Sequence, residues 1–301
     1  MIQKQKLQKC SNKVEQIKIS QQIFKNQNSG TKQEKEVMVK YSEEIGQDKM
    51  WLLKIHIRRV QDFICEVRVI NNLRHPNIVL YMGICLHQSQ YFMITEYLNQ
   101  GSLFDYLHKK QINLTQKQIF NIVEDIALGM TYLHGRKVLH CDLKSSNVLI
   151  DENWNIKLCD FGLSRIKSKL NKKKNEKKEE GLIGTPQWMA PEVMRREQYQ
   201  EHSDIYSFGM ILWEIATKQI PHKGLSHQQI YGTVGYDENY EVEIPKRGNP
   251  RYLKLMKKCL NRKPQDRPPF IEIVKEIQEM KQELKYIEKK QVVKEIIRFF
   301  S

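Results

Sequence analysis

The sequence predicts an α+β fold, with both strand-like and helical stretches in the chain. Three observations carry this. The run Tyr91-Phe92-Met93-Ile94-Thr95-Glu96-Tyr97-Leu98 is rich in aromatic and β-branched residues and reads as a buried strand. Apolar residues recur at helical spacing at Ile119, Ile122, Ile126, Met130 and Leu133, and again at Ile273, Ile277, Met280, Leu284 and Ile287. Between those two stripes, Asp204 to Ile215 is apolar nearly all round, as a helix buried at the centre of a domain must be. The 301 residues, 40% of them hydrophobic, suffice for one domain with a substantial core and a short extension at each end.

Taken in order, residues 1–36 are dominated by Lys, Gln and Asn, which make up 19 of the 36, and Gly30 is the only glycine. Such a segment buries little, so a mobile tail is expected. From Arg59 to Leu73 the apolar residues Val60, Phe63, Val67 and Ile70 form a helical stripe, and Glu66 lies on the same face. Thr115-Gln116-Lys117-Gln118 has the form of a capping box ahead of the helix that ends at Gly135. Val148-Leu149-Ile150 and Ile156-Lys157-Leu158 read as a hairpin around Asp151-Glu152-Asn153, which brings Asn147 and Asp160 back together. The stripe after Phe270 spans about two heptads, too few for a sustained coiled coil. A terminal helix packed partly on the domain is expected, with dimerisation through it as the alternative.

The formal net charge is +15. Lys is concentrated in the tail, in the segment 165–180 and in the C-terminal helix, where solvated charge accounts for it. No basic motif interleaved with aromatics accompanies it, so no nucleic-acid partner is expected. The six Cys show neither C-x-x-C pairs nor metal-ligand spacing with His, so neither a zinc site nor a disulfide framework is indicated, and a reducing, cytoplasmic setting is expected. No N-terminal stretch has the pattern of a signal peptide. The most apolar run, Ile205 to Ala216, is short and holds Glu214, so no transmembrane segment is expected.

The chemistry concentrates in Val138 to Gly162. Asp142, Lys144, Asn147 and Asp160 fall within this stretch, separated by apolar runs. Transfer of a γ-phosphoryl group needs a carboxylate to orient or deprotonate the acceptor hydroxyl, metal ligands, and a cation near the transferred phosphate. Asp142 suits the first role and Lys144 the last, while Asn147 and Asp160 offer the hard oxygens that Mg²⁺ prefers.

At these residues the chain resembles the protein kinase family. H-C-D-L-K-S-S-N, ending at Asn147, stands where H-R-D-L-x-x-x-N is expected, and D-F-G follows at Asp160. Leu73-Arg74-His75-Pro76-Asn77-Ile78-Val79 resembles a further family segment. Gly184 to Glu192, reading G-T-P-Q-W-M-A-P-E, resembles the end of the activation segment in the tyrosine-kinase-like group that includes Raf and the mixed-lineage kinases. The resemblance implies a two-lobed kinase fold: a small, mostly β N-lobe at 37–97, a larger helical C-lobe at 98–280 and a helical extension at 281–301. It implies ATP and Mg²⁺ as cofactors, protein substrates with Ser or Thr acceptors, and a place in intracellular signalling. By the same resemblance Thr185 touches Asp142 and Lys144, Thr95 is the gatekeeper beside adenine, and the Glu96 carbonyl and Leu98 backbone bond adenine. Asp204 would hold the catalytic-loop backbone, and Arg267 would pair with Glu192.

The chain also departs from the family pattern. No G-x-G-x-x-G loop is present. Two residues compete for the Lys that pairs with a helix Glu. Val37-Met38-Val39-Lys40 has the form of that strand, but so does Trp51-Leu52-Leu53-Lys54 if Glu43 to Gln47 is the first strand and opening glycine of the loop. The short separation of Lys54 from Glu66 favours Lys54. On that reading the N-lobe is degenerate, its second strand and phosphate-covering loop shortened or missing, and a pseudokinase scaffold is the second functional reading. Cys141 replaces the Arg that receives an activation-segment phosphate, and no Ser, Thr or Tyr lies between Ser168 and Thr185, so activity independent of phosphorylation there is expected. Ser164 and Ser168 are the remaining acceptors nearby.

Overall fold

The computed structural model describes residues 34–42, 48–56, 67–87, 90–161, 163–166 and 184–300. Two units divide the chain between Asn99 and Gln100. The helix expected from Arg59 is described only over residues 67–70, so Val60, Phe63 and Glu66 lie outside the described residues, as do Glu43–Gln47, Gly162 and Ser168.

The first unit is an antiparallel sheet ordered β1-β2-β4-β3, from β1 (Glu34–Ser42), β2 (Asp48–His56), β3 (Tyr81–His87) and β4 (Gln90–Glu96). The two segments that competed for one strand are thus two partners. Val37 lies opposite Leu53, and Lys40 opposite Met50. β1 begins inside the segment expected as tail. Composition hid this because a β1 rich in Lys and Glu has little apolar alternation to find. β2 lies between β1 and β4, which places Lys54 opposite Glu36 on one side and Met93 on the other. β4 supplies the strand expected at Tyr91–Leu98. Its end is anchored on both sides of one residue: Leu80 N donates to Glu96 Oε1 at 2.7 Å, and Glu96 N donates to Leu80 O at 3.0 Å.

The second unit is built around α1 (Gln116–Gly135) and α2 (Glu201–Thr217). The capping box starts α1 as expected, with Gln118 N on Thr115 Oγ1 and Thr115 N on Gln118 Oε1. Ile122, Ile126, Met130 and Leu133 are buried along α1, with Phe120 added to them and Ile119 only half-buried. α2 is buried almost all round, from Ser203 to Leu212 and again at Glu214 and Ile215. α3 (Pro250–Cys259) packs on α2, and α4 (Phe270–Phe300) packs on α1 through Ile273, Ile277 and Met280. Ion pairs Lys281–Glu124, Lys258–Glu276 and Arg251 with Glu279 and Glu283 fasten α4 to α1 and α3. Beyond Met280 the stripe surfaces, and Ile287 is exposed. No helix among the described residues is long and apolar enough to cross a membrane.

Candidate active site

The site rests on a buried carboxylate in the first turn of α2. Asp204 is fully buried, and four groups converge on it. His140 N donates to Oδ2 at 3.0 Å and Cys141 N to Oδ1 at 3.1 Å, while Tyr199 OH donates to Oδ1 at 2.6 Å and His134 Nε2 lies 2.9 Å from Oδ2. Burial pushes the Asp204 carboxyl up, but the bond and charge of His134, with His140 and Tyr199, outweigh it and hold the group below its usual range. The bonds pin the backbone where Cys141 adopts φ +68°, a left-handed conformation that costs a non-glycine residue about 1 kcal/mol. The Cys141 thiol is buried, with Sγ 3.7 Å from Leu139 O. The small Cys141 side chain is thus turned into the core.

That strained turn delivers Asp142 into a closed triangle. Thr185 Oγ1 donates to Asp142 Oδ1 at 2.7 Å, Lys144 Nζ donates to Thr185 Oγ1 at 2.8 Å, and Lys144 Nζ lies 2.9 Å from Asp142 Oδ2. Asn147 Nδ2 closes the far side, donating to Asp142 O at 2.9 Å. The hairpin carries the remaining oxygen donor. β5 (Val148–Ile150) and β6 (Ile156–Leu158) pair with Val148 opposite Leu158, and Cys159 N donates to Asn147 O at 3.0 Å. Asp160 follows directly, in a left-handed conformation at φ +63°. Asn147 and Asp160 therefore stand at the same end of one hairpin, as the spacing predicted. Asp151 makes the opposite end, its Oδ1 accepting from Asn153 N and Asn155 N at 2.8 Å each.

Thr185 reaches the triangle because Gly184 lets the chain come close. Gly184 has φ +108°, and a Cβ there would sit 2.8 Å from Cys141 O. We expect Gly184→Ala to destabilise the domain by about 1–3 kcal/mol, read as a lower urea midpoint. An unchanged midpoint would mean that Thr185 does not need this approach.

Further groups support the site that sequence reasoning did not assign to it. Glu214 is fully buried on α2 and accepts from Ser145 Oγ at 2.6 Å and Trp188 Nε1 at 2.9 Å, with His108 Nε2 at 2.7 Å. Burial pushes its carboxyl up, and these neighbours only partly offset that. The signal was present in the sequence: a Glu inside an otherwise apolar helix must find donors or stay neutral. His134 and Tyr199 gave no such signal, because their partner is remote in sequence. The pair expected between Arg267 and Glu192 is present, at 2.7 and 2.9 Å.

The family model described as protein tyrosine and serine/threonine kinase matches residues 12–277. The chain belongs to that family. The match begins ahead of residue 37, where the N-lobe had been expected to start. Over 225 residues the chain is 42% identical to the serine/threonine-protein kinase CTR1 of Arabidopsis thaliana, covering 73% of this chain and 26% of that protein. Identity to the probable serine/threonine-protein kinase drkB of Dictyostelium discoideum is 40% over 224 residues, 73% of this chain and 31% of that protein. The serine/threonine/tyrosine-protein kinase HT1 of Arabidopsis thaliana is 37% identical over 215 residues, 71% of this chain and 53% of that protein. The chain thus spans between a quarter and about half the length of these kinases.

Proposed function

We propose that this chain is an ATP-dependent serine/threonine protein kinase that transfers the γ-phosphoryl group of Mg·ATP to Ser or Thr hydroxyls of protein substrates in intracellular signalling. The observation that carries the reading is the closed Asp142–Lys144–Thr185 triangle, with Asn147 and Asp160 at one end of an adjoining hairpin. A scaffold has no physical use for a carboxylate, an ammonium and hard oxygen donors gathered this way. The names of the relatives support the Ser/Thr acceptor, as does the Lys144–Thr185 bond.

The donor set fits Mg²⁺. Asn147 commits Nδ2 to Asp142 O, so its Oδ1 would be the atom to hold the ion, together with the Asp160 carboxylate. A cation that keeps several waters or phosphate oxygens needs no more from the protein. When bound, Mg·ATP supplies the phosphoryl group and neutralises the charge that develops on transfer. The chain's residues do the rest. Asp142 orients the acceptor hydroxyl and takes its proton on a carboxylate oxygen. Lys144 holds an ammonium at the transferred group, and Thr185 keeps both in place. Lys54, on the inner strand β2, is the Lys we assign to the phosphates, with Glu66 as its partner, and Thr95, Glu96 and Leu98 at the end of β4 hold adenine. The domain assignment we propose is a tail over residues 1–36, an N-lobe over 37–97, a C-lobe over 98–280 and a helical extension over 281–301, with dimerisation through that extension as the alternative to a helix packed on the domain, in a cytoplasmic protein.

The test is Mg·ATP transfer to a generic Ser/Thr substrate by purified protein. Transfer supports the kinase. No transfer, together with no rise in Tm on adding Mg·ATP, would favour a scaffold whose N-lobe cannot hold the phosphates. We further expect activity without phosphorylation of the activation segment. Cys141 cannot receive a phosphate from inside the core, and the Ser164 hydroxyl is engaged, donating to His140 O at 3.1 Å. Phosphatase-treated protein should keep its full rate, and loss of activity with an essential phosphosite mapped between residues 164 and 184 would overturn this.

A further inference from the structure

The mechanism above leaves His108 unused. It sits in a single π turn, Asp105–Lys109, closed by Lys110 N donating to Asp105 O at 2.8 Å, far from the catalytic loop in sequence. Single π turns recur at functional positions because they widen the helix and re-aim a side chain. Here the wide turn sends His108 to Glu214. Its Nε2 lies 2.7 Å from Glu214 Oε1, and the Phe104 ring packs against the imidazole with centroids 4.6 Å apart. The same oxygen accepts from Ser145, which follows Lys144 directly, and the other oxygen accepts from Trp188, three residues after Thr185.

Two of the three triangle residues therefore have a near neighbour in the chain fastened to one buried carboxylate. The Glu214 side chain is 0% exposed, and no Lys or Arg pairs with it among the described residues. A buried carboxylate without a cation depends on each hydrogen bond it receives. His108 is the contributor from outside the catalytic loop, the activation segment and α2. Its side chain is only 10% exposed and packs on Phe104, so its replacement is read for lost packing, through Tm, as well as for rate.

We propose that His108 is a positioning residue for phosphoryl transfer. It acts through Glu214 to set the spacing between the catalytic loop at Ser145 and the activation segment at Trp188, and so the geometry of Lys144 and Thr185 against Asp142. The inference rests on the kinase reading of the site. Removing the His108 bond leaves Glu214 to settle on its two remaining donors, which lets Ser145 and Trp188 shift relative to each other. Small displacements of reacting groups cost rate steeply, so His108→Ala should lower kcat about 10-fold or more. The KM for ATP should not change, since Glu214 touches no residue assigned to the nucleotide.

The experiment compares wild type, His108→Ala, His108→Gln and Glu214→Gln for kcat, KM for ATP and Tm, and records the Trp188 indole N–H resonance, assigned with Trp188→Phe. Gln at position 108 can still donate, so it should recover most of the rate that Ala loses. The Trp188 resonance should move in His108→Ala and return in His108→Gln, with Tm within a few degrees of wild type. A His108→Ala protein with unchanged kcat and an unmoved Trp188 resonance would overturn the proposal. So would a rate loss that His108→Gln does not recover, because that outcome describes packing alone. If Glu214→Gln fails to fold, the two His108 variants still decide. The Trp188 resonance is read without catalysis, so an inactive wild type, which defeats the kinase reading, still leaves the contact itself measurable.

Discussion

Asp142→Asn should lower the rate of transfer by about 10²–10⁴-fold while the protein stays folded and still gains Tm on adding Mg·ATP. The geometry sets both halves of the expectation. Asp142 uses both carboxylate oxygens, Oδ1 for the Thr185 hydroxyl and Oδ2 for the Lys144 ammonium. Asn offers one acceptor and turns the other atom into a donor. Keeping the Thr185 bond aims that NH₂ at Lys144 and at Asn147 Nδ2, which lies 3.4 Å from Oδ2. The acceptor hydroxyl then meets a group that cannot take a proton. Asn147 and Asp160 are untouched, so binding of Mg·ATP should survive. Steady-state kinetics with a Tm measurement checks both parts. A variant that keeps more than about a tenth of the rate would remove Asp142 from the role assigned to it.

Arg267→Ala should cost about 3–5 kcal/mol of stability, the largest loss expected from any single change outside the site. Arg267 is the largest fully buried side chain described. It pairs with Glu192 through both terminal nitrogens, donates to Asn261 O at 2.7 Å and His202 O at 2.8 Å, and lies over the Tyr206 ring at 5.0 Å. Truncation leaves the Glu192 carboxylate buried without its cation. Against a domain stability of about 5–15 kcal/mol, that is a third or more of the total. Lys at position 267 should recover little, because it cannot match the planar bidentate contact. Replacing both partners by Met should restore much of the loss, since no buried charge then remains unpaired. Urea denaturation of the three variants and the wild type separates these outcomes. If the double variant is no more stable than Arg267→Ala, the cost lies in lost packing and backbone bonds rather than in the stranded charge.

Both expectations use residues legible in the sequence, but their partners were legible to different degrees. Asp142, Lys144, Asn147 and Asp160 lie close in sequence, and the distance between them is fixed by a hairpin whose strands and turn are local. Thr185 and Arg267 were placed through resemblance to a family, because nothing in composition or periodicity reports a contact spanning 43 or 75 residues. The N-terminal sheet was read least well. β1 and β2 each looked like the one strand carrying Lys, and that they pair with each other is a relation a single strand's sequence does not encode.

What the sequence determined by itself was therefore local: α1 with its cap, the buried α2, the stripe on α4, and the hairpin that gathers Asn147 and Asp160. Each follows from side-chain periodicity, turn chemistry or capping within a few residues. What only the tertiary structure decided was where buried polar groups find partners. Asp204 takes its donors from α1, the catalytic loop and Tyr199, Glu214 takes its own from a π turn, the catalytic loop and the activation segment, and Glu192 waits for Arg267. A buried charge must be satisfied, and the sequence states that requirement without naming the residue that meets it. Folding supplies the name, because only packing brings groups so distant in the chain within bonding distance.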